Sequence, residues 1–247
     1  MTTLKLTPVV RLMMTMDNEI ALDKNGVFND QVWKQYLATT EIAEKQRDSM
    51  TKSLLTIDAL LAILLSGKNL KLPVIDTSLV DLPACREVLT ILSSILLMFT
   101  VVYFINAQCY SLLADQFAKR RAATDAIDPD FVSAADKYFH FALKIFRPKL
   151  NIWGPDFYSP RRSFTVFSTA INFFIAAVFI LFPTAHFCLV GYSFYQTIST
   201  YDLNFFIATY CVICSVINFL SIAIWIGSST SFEFDVLQPI NPIDSSR

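Results

Sequence analysis

Glycine is scarce in this chain, five among 247 residues, and no two of them stand in a G-x-x-x-G spacing. That excludes the tight helix crossings that small-residue motifs allow, and it excludes a glycine-rich phosphate loop. Charge is scarce as well. Charged residues make up 17% of the chain, against about 25% in an ordinary soluble domain, and the net charge is −1. Lys119-Arg120-Arg121 and Arg161-Arg162 are too short to track a phosphate backbone, so nucleic acid is not an expected partner. They fit anionic lipid heads better.

Only two histidines occur, His140 and His186, and neither has a Cys, Asp or Glu at a metal-ligand spacing such as H-E-x-x-H. G-x-S-x-G is missing too. No catalytic residue, metal or cofactor is therefore expected, and the chain reads as a non-enzyme. The five cysteines form no framework. Cys211 and Cys214 make a C-x-x-C inside an apolar run, without the polar, accessible setting that redox chemistry needs. Glycosylation sequons are absent, and Pro8 and Arg11 interrupt any signal-like patch over Thr2–Met16.

What the chain has in abundance is apolar length. Hydrophobic residues reach 54%, with 22 Phe, and the mean hydropathy is +0.47. Phe205–Gly227 carries no charge from end to end. About 20 helical residues cross a bilayer core, so this run predicts a membrane span. Two more are predicted over 88–107 and 164–182, the latter able to continue past Pro183. A weaker one, 53–66, contains Asp58 and is short by itself. Between Asp30 and Lys52 there is no Gly or Pro, which predicts one long helix over 30–66, dry only in its second half. The expected fold is an all-α membrane protein with four transmembrane helices in a bundle. Three spans plus a surface helix is the alternative.

Lys and Arg place the segments. Seven precede the first span and nine lie in 108–162, but three fall between spans one and two and none between three and four. The positive-inside rule then puts residues 1–52, 108–162 and 228–247 in the cytoplasm, with a bacterial inner membrane as the expected location. In the middle segment, Asp128-Pro129 predicts the start of an amphipathic helix. Trp153, Tyr158, Arg161 and Arg162 then form an expected interfacial belt where the third span begins. Between spans one and two, Asp81 and Pro83 predict the start of the second helix. Leu4–Leu12 and Phe232–Val236 read as strands able to pair with each other or with another protein.

Polar residues inside spans are costly and face protein or water. Asp58, Asn172 and Asn218 each lie about 12–14 Å from the assumed cytoplasmic ends at the helical rise, with Asn106 shallower. They read either as a functional layer, a hydrated path or proton-responsive switch centred on Asp58, or as hydrogen-bonded glue between helices. His186 reads as an ordinary polar residue near the outer end of span three.

These features lead to a self-associating membrane sensor or membrane-perturbing component. Its partners would be the lipid bilayer, other copies of itself, and a cytoplasmic protein docking on the middle segment or the C-terminal tail. By analogy of architecture alone, small bacterial stress or phage-defence membrane components have this build. Two other readings stay open. One is an oligomeric channel or transporter with Asp58, Asn172 and Asn218 lining the path. The other is a scaffold subunit of a larger membrane complex.

Overall fold

A computed structural model describes residues 3–67, 84–122, 131, 144–151 and 156–236. Among them the fold is all-helical apart from two short strands, in the order β1 (Thr3–Leu6), α1 (Pro8–Leu22), α2 (Asp30–Leu65), α3 (Cys85–Ala122), α4 (Arg162–Tyr201), α5 (Phe205–Ser229) and β2 (Phe232–Asp235). The predicted amphipathic helix after Asp128, the Asp81–Pro83 helix start, Trp153 and the tail after Val236 lie outside the described residues.

Each helix start has a local cause. Thr7 caps α1, its hydroxyl accepting from the Val10 N–H at 3.2 Å, with Pro8 in the first turn. The strand expected over Leu4–Leu12 therefore stops at Leu6. Asn29 caps α2 by accepting from the Gln31 and Val32 N–H groups, and Asn204 caps α5 by accepting from that of Ile207. Between α1 and α2, the Asp23 carboxylate accepts from the Phe28 N–H at 2.7 Å and the Asn25 N–H at 3.1 Å. Those backbone donors, Phe28 first, hold its carboxyl below the usual value. Pro183 does not end α4, which continues to Tyr201.

Among the described residues three helices are long and apolar enough to cross a membrane: α3, α4 and α5. They fit an integral, multi-pass membrane protein. The second half of α2, with Asp58 and a short apolar run, does not reach that threshold by itself.

The chain divides into two compact units. One holds residues 1–43, 106–177 and 227–247. Here β1 and β2 pair antiparallel in the register Leu4 to Phe234 and Lys5 to Glu233. The exposed Lys5–Glu233 pair at 3.5 Å adds little across that ladder. The Arg11 guanidinium lies over the Phe234 ring at 4.6 Å. Met16, Ile20 and Phe117 form this unit's core, with Phe28 and Tyr36 rings against Phe117. Arg120 closes it by donating to the Ile20 carbonyl at 2.8 Å.

The other unit holds 44–105 and 178–226, and its polarity is inverted. On α5 the buried residues are Cys214, Asn218 and Ser221, while Val212, Val216, Phe219 and Leu220 are exposed. On α3 the buried stripe is Leu89, Thr90, Ser93, Ser94, Leu97 and Val101. A large exposed apolar surface around a partly polar interior is what a hydrocarbon solvent selects, since water would drive Phe inward. Leu54, Asp58, Leu61 and Leu65 give α2 one buried face at helical spacing.

Candidate functional site

The inverted unit contains a polar cluster to which four helices contribute one or two side chains each. Asp58 on α2 is 7% exposed and His186 on α4 is 1% exposed. His186 Nδ1 lies 3.0 Å from Asp58 Oδ2, and His186 Nε2 lies 3.1 Å from Asn218 Oδ1 on α5. The other carboxylate oxygen of Asp58 accepts from the Ser93 hydroxyl on α3. Asn218 Nδ2 donates to Ser94 Oγ at 2.9 Å and to the Cys214 carbonyl at 3.0 Å. Ser94 in turn donates to the Thr90 carbonyl at 2.9 Å, as Ser and Thr in apolar helices commonly do.

Each helix supplies its member through period. His186, Val190, Ser193 and Thr197 fall on one face of α4, and all are buried. Thr90, Ser93, Ser94 and Leu97 do the same on α3. The aromatic ring of Phe187 stands edge-on to the His186 imidazole, at 5.4 Å between centroids.

A polar seam runs on from the cluster along α3 and α4. Thr90 and Ser193 hydroxyls meet at 2.6 Å, with the Tyr210 hydroxyl beside them. About one turn further, Glu87 accepts from Arg86 at 2.8 Å and from Thr197 Oγ1 at 3.0 Å. Gln196 Nε2 reaches the Leu65 carbonyl at 3.4 Å, tying the end of α2 to the same level. On the other side of the cluster, Leu97, Val101, Phe104, Phe179, Phe182 and Trp225 line a cavity of about 270 Å³ whose polar rim is the Arg47–Asp48 pair. The seam is polar and packed, while the cavity is apolar and open, so the two sides of the cluster differ in kind.

Of the residues that sequence reasoning singled out, the structure brings Asp58 and Asn218 to opposite nitrogens of one imidazole. Asn172 and Asn106 belong to the other unit, Asn172 exposed and Asn106 half-buried. Tyr158, Arg161 and Arg162 are exposed at the start of α4. His186 is the residue that sequence reasoning missed. Its placement near an outer end assumed that the third span finishes around Pro183, whereas α4 continues through it. The signal that could have found it is the recurrence of His186, Ser193 and Thr197 on one face beyond the proline.

Among the described residues no three His, Cys, Asp or Glu side chains gather as a metal site. No protein-family model matches the chain, and comparison with curated proteins and with solved structures gives no match.

Proposed function

We propose that this chain is a non-enzymatic, multi-pass membrane protein whose four crossings carry a buried switch, self-associating in a bacterial inner membrane and signalling to a cytoplasmic partner. The observation that carries the reading is the Asp58–His186 pair, buried inside a unit whose outer surface is apolar. A buried ion pair is a weak source of net stability, and ionisable side chains at membrane depth mark function more often than structure. The roughly 270 Å³ cavity, lined by Thr51 on α2 and Pro183 on α4 about one to two turns from the pair, gives the helices room to repack.

Parity supports four crossings. β1 lies before every candidate span and β2 after the last, yet the two are paired strand to strand. Chain ends joined in one sheet are on the same side of a bilayer, so the number of crossings between them is even. Among the described residues the three apolar helices α3, α4 and α5 make an odd count. The second half of α2 supplies the missing crossing, since its buried face carries Asp58 to His186. Cytoplasmic termini follow from the Lys and Arg distribution. The sheet then offers a cytoplasmic docking element, with Lys5, Glu233 and Arg11 around it.

One observation favours a second reading, an oligomeric channel. The seam from Glu87 through Thr90 and Ser193 to Asp58 is a file of polar groups along the helices. Proteoliposomes separate the two. The switch reading expects a homo-oligomer in native mass spectra from mild detergent, and liposomes that hold an ion gradient. A steady ion leak abolished by Asp58→Asn would establish the channel instead. A one-to-one assembly with a different protein and no self-association would make the chain a scaffold subunit.

A further inference from the structure

Hydrogen-bond polarity fixes how many protons the buried cluster holds. A neutral imidazole donates from one ring nitrogen and accepts at the other. At His186 both nitrogens face oxygens. Nε2 faces the Asn218 amide oxygen at 3.1 Å, and that amide cannot be turned over. Its Nδ2 donates to the Cys214 carbonyl at 3.0 Å, a group that only accepts, and to Ser94. Reversal would set oxygen against oxygen at the carbonyl. Nε2 therefore carries a proton. Nδ1 faces the Asp58 carboxyl oxygen at 3.0 Å and the Ser93 hydroxyl oxygen at 3.4 Å. The one Ser93 hydrogen goes to the other Asp58 oxygen, so a second proton occupies the Nδ1–Asp58 contact, on the nitrogen or on the oxygen.

We infer that Asp58 and His186 form a proton-binding site, a latch between α2, α4 and α5 that is closed when the pair carries one proton more than a carboxylate and a neutral imidazole. In that state the pair is neutral as a whole, which its apolar surroundings favour. Loss of the proton leaves a net negative charge and a ring nitrogen lone pair set against an oxygen. Either the Asp58 or the Asn218 contact must then open. The sign follows: the latch is closed at lower pH and released as pH rises. Other titratable or charged groups on the packed helices are set apart from the pair. On α3 they are Arg86 and Glu87, bonded to each other about two turns away. On α5 they are Tyr210 and the Cys214 thiol, and on α2 the Arg47–Asp48 pair at the cavity rim. The seam of Thr90 and Ser193 gives the proton a hydroxyl-lined approach from the Glu87 side. This inference deepens the switch reading and rests on it for its consequence.

The test is a pH series on the full chain in lipid nanodiscs, with histidine labelled in both ring nitrogens and His140→Gln leaving a single signal set. Nitrogen NMR distinguishes a protonated ring nitrogen from a bare one. The expected result at neutral pH is a proton in the Nδ1–Asp58 contact, read either as a second protonated ring nitrogen or, with carboxyl carbon-13 labelled aspartate, as a protonated Asp58 carboxyl. That proton is then lost in an alkaline step, together with faster amide exchange along α5. Asp58→Asn is a second variant: its amide can donate to Nδ1, giving a neutral, satisfied cluster. It should fold, show one bare ring nitrogen across the range of the alkaline step, and lose that step in exchange. A bare ring nitrogen in the parent protein at neutral pH, together with an ionised Asp58 carboxylate, overturns the proposal. So does retention of both protons up to alkaline unfolding, which marks a static ion pair. If the step occurs but self-association and partner binding do not change across it, the proton site stands and the switch reading fails.

Discussion

Replacing His186 with alanine should cost the inverted helix unit about 3–5 kcal/mol, the usual loss when one partner of a buried ion pair is removed. The imidazole touches members of α2, α3 and α5, with Asp58 at 3.0 Å, Ser93 at 3.4 Å and Asn218 at 3.1 Å. Its removal leaves the Asp58 carboxylate with Ser93 as its only hydrogen-bond donor among the contacts described above. The loss is not the worth of the bond but the cost of an uncompensated buried charge. It should therefore be recovered in part by neutralising the survivor. Asp58→Asn in the His186→Ala background should restore about 1–3 kcal/mol, a coupling of the size found for residues in direct contact. Reversible unfolding in mixed micelles, run as a double-mutant cycle, measures it. Equal and additive losses would mean that the two residues act separately.

Phe219→Asp should block stable membrane integration, or cost about 3–4 kcal/mol where the chain still inserts. That is the difference between Phe and Asp at the centre of a spanning helix. Phe219 is 69% exposed on α5, one residue from the buried Asn218. On a water-facing surface, exchanging an exposed Phe for Asp would shift stability by no more than about 0.5 kcal/mol and would improve solubility. The two solvents thus predict opposite outcomes for one substitution. Phe219→Leu, which keeps the apolar surface, should be silent. An insertion assay with a reporter following α5 reads both.

Much of this architecture is written in local pattern. The absence of Gly and Pro between Asp30 and Lys52 was enough to anticipate a continuous helix, and α2 runs unbroken from Asp30 to Leu65. Apolar length alone marked α3, α4 and α5. Asp58 and Asn218 stood out because a polar side chain in an apolar run is costly unless it has a partner. The partner itself was not legible. Periodicity within a helix says which residues share a face, but it does not say which face of which helix opposes it. Depth counted from the assumed cytoplasmic ends selected Asn172, and bounds of 164–182 set His186 near an outer end, whereas α4 runs from Arg162 to Tyr201. In lipid, a proline inside a helix is tolerated when neighbouring groups compensate, and α4 carries Pro183 in its interior. The strand ends differed for a related reason. Thr7 and Pro8 are a helix start as much as a strand break, and the Thr7 cap decided it. The pairing of β1 with β2 joins the two ends of the chain, a contact whose alternatives no local pattern ranks.

That pairing makes the crossing of α2 the central claim, because the buried Asp58–His186 pair lies at membrane depth only if α2 spans. Side-specific cysteine labelling tests it most directly. With the five native cysteines replaced by serine, Gln35→Cys and Ser66→Cys place single thiols at exposed positions on either side of Asp58. Four crossings predict that a membrane-impermeant maleimide added to intact cells labels the Ser66→Cys protein, and labels the Gln35→Cys protein only after permeabilisation. Labelling of both thiols from the same side would contradict it, reducing α2 to a surface helix.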